Sequence, residues 1–328
     1  MLTNRNILVT GGAGCIGSTL VEKLCENGNT VIIYDNLMRN EESRKNIKDI
    51  NLKYNKNCQL ITKDILNFSD LSDVVNEVEM VFHLAALPSH RRALEDPMAY
   101  AKVDVMGVVN VLEAIRMSQN KPLLVFTSSN KVYGKHQPPF IETMLPMPCG
   151  PYGMAKYNAE QWCQLYHEYY GLKVNVARLF HVIGPRTQPD REISIFTESI
   201  LEDKEIFVHG IFDEQKKFIS CAAGYTNVYD TIDGLILLME NCHAFDIYNI
   251  GSDKEITVEE IALMIYKKLD KKPKINYKEI LSHESLRHRA DNSKIKALGW
   301  RQNYSVEESV EQYIRWRIET GKRESVYV

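Results

Sequence analysis

Three residues in the middle of the chain, Ser129, Tyr152 and Lys156, have the types and spacing for moving a proton on and off a hydroxyl group. Tyr152 and Lys156 stand four positions apart, so a helix places them on one face. An unperturbed phenol titrates near ~10, too high for a base at neutral pH. An ammonium beside it favours the phenolate, which makes Tyr152 a usable base. Ser129 follows an apolar, β-branched run and is placed to orient a substrate hydroxyl while Tyr152 takes its proton. Tyr and Lys are both common on helices, so this pair gains its specificity from what precedes it.

Thr10, Gly11, Gly12, Ala13, Gly14, Cys15, Ile16 and Gly17 form a glycine turn directly between an expected strand and an expected helix. Gly11, Gly14 and Gly17 follow G-x-x-G-x-x-G spacing. The first suits a tight turn, the second the close approach of a pyrophosphate, and the third the packing of helix on strand, with the anion at the helix amino terminus. Asp35 ends the second strand 18 positions beyond Gly17, where a carboxylate accepts hydrogen bonds from an adenosine ribose and repels the extra phosphate of NADP. NAD is the expected cofactor, with Arg39 as the dissenting residue. Asp64 and Ile65, after the third strand, are placed to flank the adenine or to form an ordinary strand-end turn. With a dinucleotide bound, Lys156 would also hold the nicotinamide ribose, and hydride would leave the substrate as Tyr152 takes the proton.

These residues need a scaffold, and the element order supplies one. Short runs at 6–10, 30–34, 59–62, 80–84, 123–127 and 173–179 read as strands, 246–250 is a further apolar run, and 16–26, 97–118 and 152–170 carry helix-period apolar positions. The alternation predicts an α/β fold, a doubly wound parallel sheet of Rossmann-like type. Residues 181–190 have loop chemistry. Two capping boxes, Thr257 with Glu260 and Ser305 with Glu308, predict late helices. Lys-rich 267–274 reads as a solvated helix end and turn. On the helix 152–170, Trp162, Leu165, Tyr166 and Tyr169 offer apolar area beyond what the sheet needs, so this helix and 97–118 are expected to form a homodimer.

With 328 residues, 44% hydrophobic and 25% charged, the composition is that of an ordinary soluble protein. A net charge of −3 gives no reason to expect nucleic acid as partner. Cys15, Cys25, Cys58, Cys149, Cys163, Cys221 and Cys242 are scattered, and no two have C-x-x-C spacing. That favours reduced thiols and a cytoplasmic location. The first residues lead straight into a strand and leave no room for a signal peptide. No apolar run approaches membrane-spanning length. His83, His90 and His181 have no ligand-like spacing, so no metal is expected; His83 is placed at the end of the fourth strand, facing the cofactor. Cys149 and His167 read as structural.

The chain resembles the extended short-chain dehydrogenases/reductases of the nucleotide-sugar epimerase and dehydratase group. The likeness is carried by the glycine turn, by Asp35-Asn36-Leu37, by His83-Leu84-Ala85-Ala86, and by Ser128-Ser129 with Val132-Tyr133-Gly134. Tyr152/Lys156, Gly184-Pro185-Arg186 and Leu298-Gly299-Trp300 complete it. The resemblance implies that Ser129, Tyr152 and Lys156 are catalytic. It implies cofactor contacts from Gly11, Gly14, Cys15, Ile16, Gly17, Asp35, Asn36, Asp64, Ile65, Ala85, Ala86 and Lys156. It also implies a smaller carboxyl-terminal α/β lobe that grips a nucleotide-diphosphate sugar. On that basis 1–180 with 225–251 form the dinucleotide domain, and 181–224 with 252–328 the sugar-nucleotide lobe.

Departures from the family pattern narrow the chemistry. Dehydratases of the group follow the Ser or Thr of the strand end with an acid pair; here Asn130 and Lys131 stand there, and neither replaces a carboxylate base. The Glu-Gln-Thr-Arg of many relatives appears as Glu214-Gln215-Lys216-Lys217, which loses the bidentate fork of arginine. The family's Asn-x-x-Gly-Thr appears as Asp104-Val105-Met106-Gly107-Val108, and its Asn after the sixth strand as His181. The expected reaction is NAD-dependent epimerisation at C4 through a transient ketone. Arg186, Lys217 and Arg287 or Arg289 would hold the diphosphate, and Asn130, Lys131 and His181 are further expected substrate-binding positions. Ser129 to Gly134, Asp35 to Arg39 and Pro88-Ser89-His90 are similar to CDP-sugar 2-epimerases, which keeps that reading open. A 4,6-dehydratase or oxidoreductase on a nucleotide sugar stays as a further alternative. So does a cofactor-binding scaffold, although scaffolds of this fold typically lose the Tyr or the Lys.

Overall fold

Ile7, Leu8 and Val9 of β1 (Asn6–Thr10) are buried on both faces, as a strand in the middle of a helix-covered parallel sheet must be. A computed structural model describes residues 2–39, 41–280 and 285–321. Next to β1 lie β2 (Thr30–Tyr34) and then β3 (Cys58–Ile61) on one side, and β4 (Met80–His83), β5 (Leu123–Ser129) and β6 (Val174–Leu179) on the other. All these pairings are parallel. Phe245–Ile250 adds a seventh strand beside β6. The chain therefore reverses its winding between β1 and β4, and the carboxyl ends of those two strands flank the crevice where such sheets bind ligands.

Two units emerge, 1–134 with 145–179 and 232–248, and 135–144 with 180–231 and 249–328. In the first, helix α1 (Cys15–Glu26) buries Gly17, Ser18, Leu20, Val21 and Leu24. The core beneath the sheet includes Leu8, Val81, Val111, Leu112, Leu124, Phe126 and Val176, each contributing about 1.5–3 kcal/mol by leaving water. The division differs from the expected boundaries at 135–144, where Phe140 N donates to Arg289 O at 2.8 Å and Asp291 N to Phe140 O at 2.8 Å. It differs also at 225–231, where Tyr225–Asn227 pairs in parallel with His181–Ile183. That pairing corrects the expected loop at 181–190: its first three residues are a strand.

Three further differences have physical causes. The expected helix 97–118 runs as Pro97–Tyr100, a π-helical turn Ala101–Met106 and Gly107–Met117, so its apolar period survives while the turn rotates Asp104 fully inward. Glu41–Tyr54 is a helix that periodicity misses because its buried face uses Ser43 and Asn46 beside Ile47 and Ile50. Tyr166 is buried and donates its OH to Glu113 Oε2 at 2.9 Å, so it leaves the exposed apolar face that Trp162, Leu165 and Tyr169 keep.

The second unit packs helices Glu192–Leu201, Val258–Lys268 and Val306–Thr320 around Phe196, Val208, Ile265 and Tyr313. Both expected capping boxes form: Glu260 N donates to Thr257 Oγ1 at 3.1 Å and Glu308 N to Ser305 Oγ at 3.2 Å. Ile206–Phe212 pairs in parallel with Ile275–Glu279 and antiparallel with Phe218–Ser220. Among the described residues no helix is long and apolar enough to cross a membrane.

Candidate active site

The glycine turn closes on itself at the carboxyl end of β1. Gly11 has φ +70°, and a Cβ there would lie 2.6 Å from the backbone nitrogen of Ala85, two residues beyond β4 on the far side of the crevice. A Cβ at Gly17 would collide with the carbonyl oxygen of Gly11. Both positions are fixed by backbone approach within the protein. Gly14 differs: it caps α1 in an extended conformation, and an added Cβ would meet little except Gly11 O at 3.2 Å. Its bare backbone leaves the start of α1, at Cys15 and Ile16, open to an anion, and the first-turn N–H groups there suit a pyrophosphate.

Asp35 is built into the same turn. Its Oδ2 accepts from Ala13 N at 3.0 Å and its Oδ1 from Leu37 N at 2.8 Å. Burial pushes this carboxyl up, and the two N–H groups and Arg39 work against that. Each oxygen keeps a lone pair for a ribose hydroxyl. Asn36 Nδ2 donates to Asp64 Oδ2 at 2.9 Å, and Asn110 Nδ2 to Ile65 O at 3.0 Å, so the strand-end turns after β2 and β3 are tied into one rim. Ala85 and Ala86 follow β4, half-buried. These residues fit a dinucleotide with an unsubstituted adenosine ribose.

His83 lies inside the sheet at the end of β4. Its Nδ1 is 2.6 Å from Thr10 Oγ1, its ring stacks on Phe126, and it is fully buried. Burial, and then the charge of Lys156, push it down to about 3. The unfolded chain takes up this proton below about 6.5, and the folded chain does not. His83 therefore contributes stability that is complete above about 6.5 and is lost as the pH falls toward 3. The urea midpoint should drop between about pH 7 and about pH 5, and drop less in His83→Gln. That comparison isolates His83 from Asp35 and Asp104, whose raised values have the opposite sign.

Ser129 closes β5 and is buried, with its Oγ 3.4 Å from Asn130 Oδ1 and accepting from Lys131 N at 3.2 Å. Tyr152 and Lys156 sit in the first two turns of the helix Gly150–Tyr170. Gly153, between them, lets that helix approach the strand end: a Cβ there would lie 2.7 Å from Lys131 O. Tyr100 meets Tyr152 edge-on at 6.1 Å and is itself anchored by its OH on Ser89 O at 2.6 Å. Lys156 Nζ donates to Thr127 O at 3.2 Å and lies 5.1 Å from the centre of the Phe126 ring. Thus one unit brings together Ser129, Tyr152, Lys156, Asn130, Lys131, the glycine turn and Asp35.

The second unit carries the remaining expected residues. His181 opens its short strand, 5.5 Å from the Tyr225 ring and 5.3 Å from His288. Arg186 is held at φ +66°, a strained backbone of the kind kept at ligand loops. Lys217 is exposed, with its backbone N on Asp213 Oδ1 at 2.9 Å. Arg287 is paired with Glu255, so Arg289 is the better placed of the two for a phosphate. Its Nε is buried without a hydrogen-bond partner.

Sequence reasoning passed over two buried groups near Lys156. Asp104 accepts from Leu87 N at 2.8 Å through Oδ1, while its Oδ2 has no partner, and burial pushes its carboxyl up against the opposing charge of Lys156. Glu160 pairs with Arg178. The signal for the second was an arginine within the apolar run of β6.

The fold and this constellation define an extended short-chain dehydrogenase/reductase. Residues 8–313 match the family described as GDP-mannose 4,6 dehydratase, and the chain belongs to that family. Among its relatives, the UDP-glucuronate 4-epimerase of Thermodesulfobacterium geofontis is 31% identical over 322 residues, 94% of this chain and 95% of that protein. The UDP-glucuronic acid 4-epimerase of Bacillus cereus, solved with NAD and a fluorinated UDP-sugar, superposes with a TM-score of 0.89 at 28% identity, covering 96% of this chain and all of that one. The UDP-glucose 4-epimerase of Thermotoga maritima, solved with UDP-glucose, gives 0.85 at 31% identity over 96% of this chain and 99% of that one.

Proposed function

We propose that this protein is an NAD-dependent epimerase that inverts C4 of a nucleoside-diphosphate sugar. The observation that carries the reading is the buried Ser129 at the end of β5, with Lys156 buried on its helix and Asn130 and Lys131 following Ser129: oxidation is provided for, and neither residue after Ser129 is a carboxylate that could expel water. NAD, held by the start of α1 and by Asp35, supplies the hydride acceptor and donor at the sugar carbon. Ser129 orients the C4 hydroxyl. Tyr152 takes its proton as the ketone forms and returns it when hydride comes back to the other face. Lys156 holds the phenolate form and the nicotinamide ribose. Arg186, Lys217 and Arg289 are assigned to the phosphates of the nucleotide, which must stay fixed while the sugar turns.

The relatives' names place UDP-hexoses and UDP-uronic acids first in a substrate panel, followed by GDP-, CDP- and dTDP-sugars. Products followed by NMR should show inversion at C4 with no accumulation of NADH. Inversion at C2 would support the CDP-sugar reading, a 4-keto-6-deoxy product would refute the role of Asn130 and Lys131, and stoichiometric NADH would mean a plain dehydrogenase. The exposed Trp162, Leu165 and Tyr169, with Met98 and Met117 on the neighbouring helical run, support a homodimer. Sedimentation at micromolar concentration should give twice the chain mass, and a monomer would rule it out. The seven scattered cysteines, with no C-x-x-C spacing, support a cytoplasmic site of action.

A further inference from the structure

Behind the strand end that carries Ser129 lies an ion pair that no step above uses. Arg178 on β6 and Glu160 on the helix Gly150–Tyr170 are 2% and 0% exposed. Arg178 Nε donates to Glu160 Oε1 at 3.0 Å and Nη2 to Oε2 at 2.7 Å. Ser128 Oγ donates to the same carboxylate at 2.5 Å, and the β5–β6 register sets Ser128 directly beside Arg178. The guanidinium also lies 4.8 Å from the centre of the Tyr133 ring. Both carboxylate oxygens are therefore occupied from two strands.

A buried ion pair is weak evidence for stability, since well-packed apolar residues often do as well. Its place suggests another role. Glu160 stands one helical turn beyond Lys156 on the same buried face. Lys156 in turn reaches Thr127 O, one residue before Ser128. The other titratable groups facing Lys156 are His83 from β4, Asp104 from the turn Ala101–Met106 and Cys163 from its own helix, and burial favours the neutral form of each. Arg178 from β6 and Ser128 from β5 meet Glu160, and Tyr133 lies against the guanidinium of Arg178. Glu160 is thus a carboxylate one helical turn from Lys156, and Arg178 is what claims it.

We propose that Arg178 is a positioning residue for the catalytic pair: by taking both oxygens of Glu160 it ties the Tyr152 helix to β6, beside the Ser128–Ser129 strand end, and leaves the charge of Lys156 to the phenol. This rests on the role assigned to Tyr152 above, but not on which sugar is turned over.

The test is an ultraviolet difference titration of the NAD-bound protein against Tyr152→Phe, which follows phenolate formation at Tyr152 without any substrate. Arg178→Gln frees Glu160, and the titration midpoint should rise by about one unit, a tenfold loss of phenolate at fixed pH. Adding Glu160→Gln to that variant removes the competing charge and should return the midpoint toward the native value. Should Arg178→Gln not fold, Arg178→Lys keeps a charge without the bidentate fork and should give a smaller rise. An unchanged midpoint in the folded single variant, or a midpoint that Glu160→Gln fails to restore, overturns the proposal. If the native protein instead shows no epimerisation in the substrate panel, the titration still decides the role of Arg178, so the two failures remain distinct.

Discussion

Replacing Tyr152 by Phe should lower kcat by about 10³-fold while NAD affinity stays within about threefold, because one proton carrier is lost and its contribution is typically 10²–10⁴. The ring stays: it packs edge-on against Tyr100, and Ala93, Ala155, Leu87 and Val105 complete its apolar surround. Lys156→Ala has a different signature. Lys156 is buried on Thr127 O beside Phe126 and is assigned two tasks, so both turnover and NAD affinity should fall, by comparison of stopped-flow turnover with calorimetric binding. Equal losses in the two variants would remove the second task from Lys156. Native turnover in Tyr152→Phe would remove the phenol from the proton path altogether.

The parts of this site that could be read from the sequence are those whose geometry is local. Gly11, Gly14 and Gly17 follow a strand and open a helix, and Tyr152 and Lys156 are one turn apart, so spacing alone places them. The doubly wound parallel sheet also follows, because strands alternate with helices. What stayed hidden depends on partners distant in sequence. Nothing near Glu160 says that its carboxylate meets Arg178, and nothing near Asp104 says that a π turn rotates it to face Lys156. The strand His181–Ile183 was hidden for the same reason: it exists because Tyr225–Asn227 pairs with it, and its own Gly- and Pro-rich continuation reads as loop. Periodicity reports burial along one element, not the identity of what covers it.

Gly17→Val should abolish useful NAD binding while leaving a folded protein. The residue lies in the first turn of α1, where a side chain would strike the carbonyl oxygen of Gly11 and crowd the Cα of Gly12. Gly11 is held in place, since even a Cβ there would lie 2.6 Å from Ala85 N and its N–H is bonded to Tyr34 O at 2.9 Å. The helix start must therefore move, drawing the first-turn N–H groups away from the pyrophosphate and loosening the Gly14 N to Gly11 O bond of 3.1 Å. Loss of two charge-assisted hydrogen bonds, about 1.5–3 kcal/mol each, corresponds to a weakening of roughly 10²–10⁴ in Kd. The sheet and its core side chains are untouched by this displacement, so far-ultraviolet circular dichroism should be unchanged. Calorimetry reads the affinity directly. A Kd within about threefold of native, about 0.65 kcal/mol or less, would mean that the cofactor does not sit on this helix.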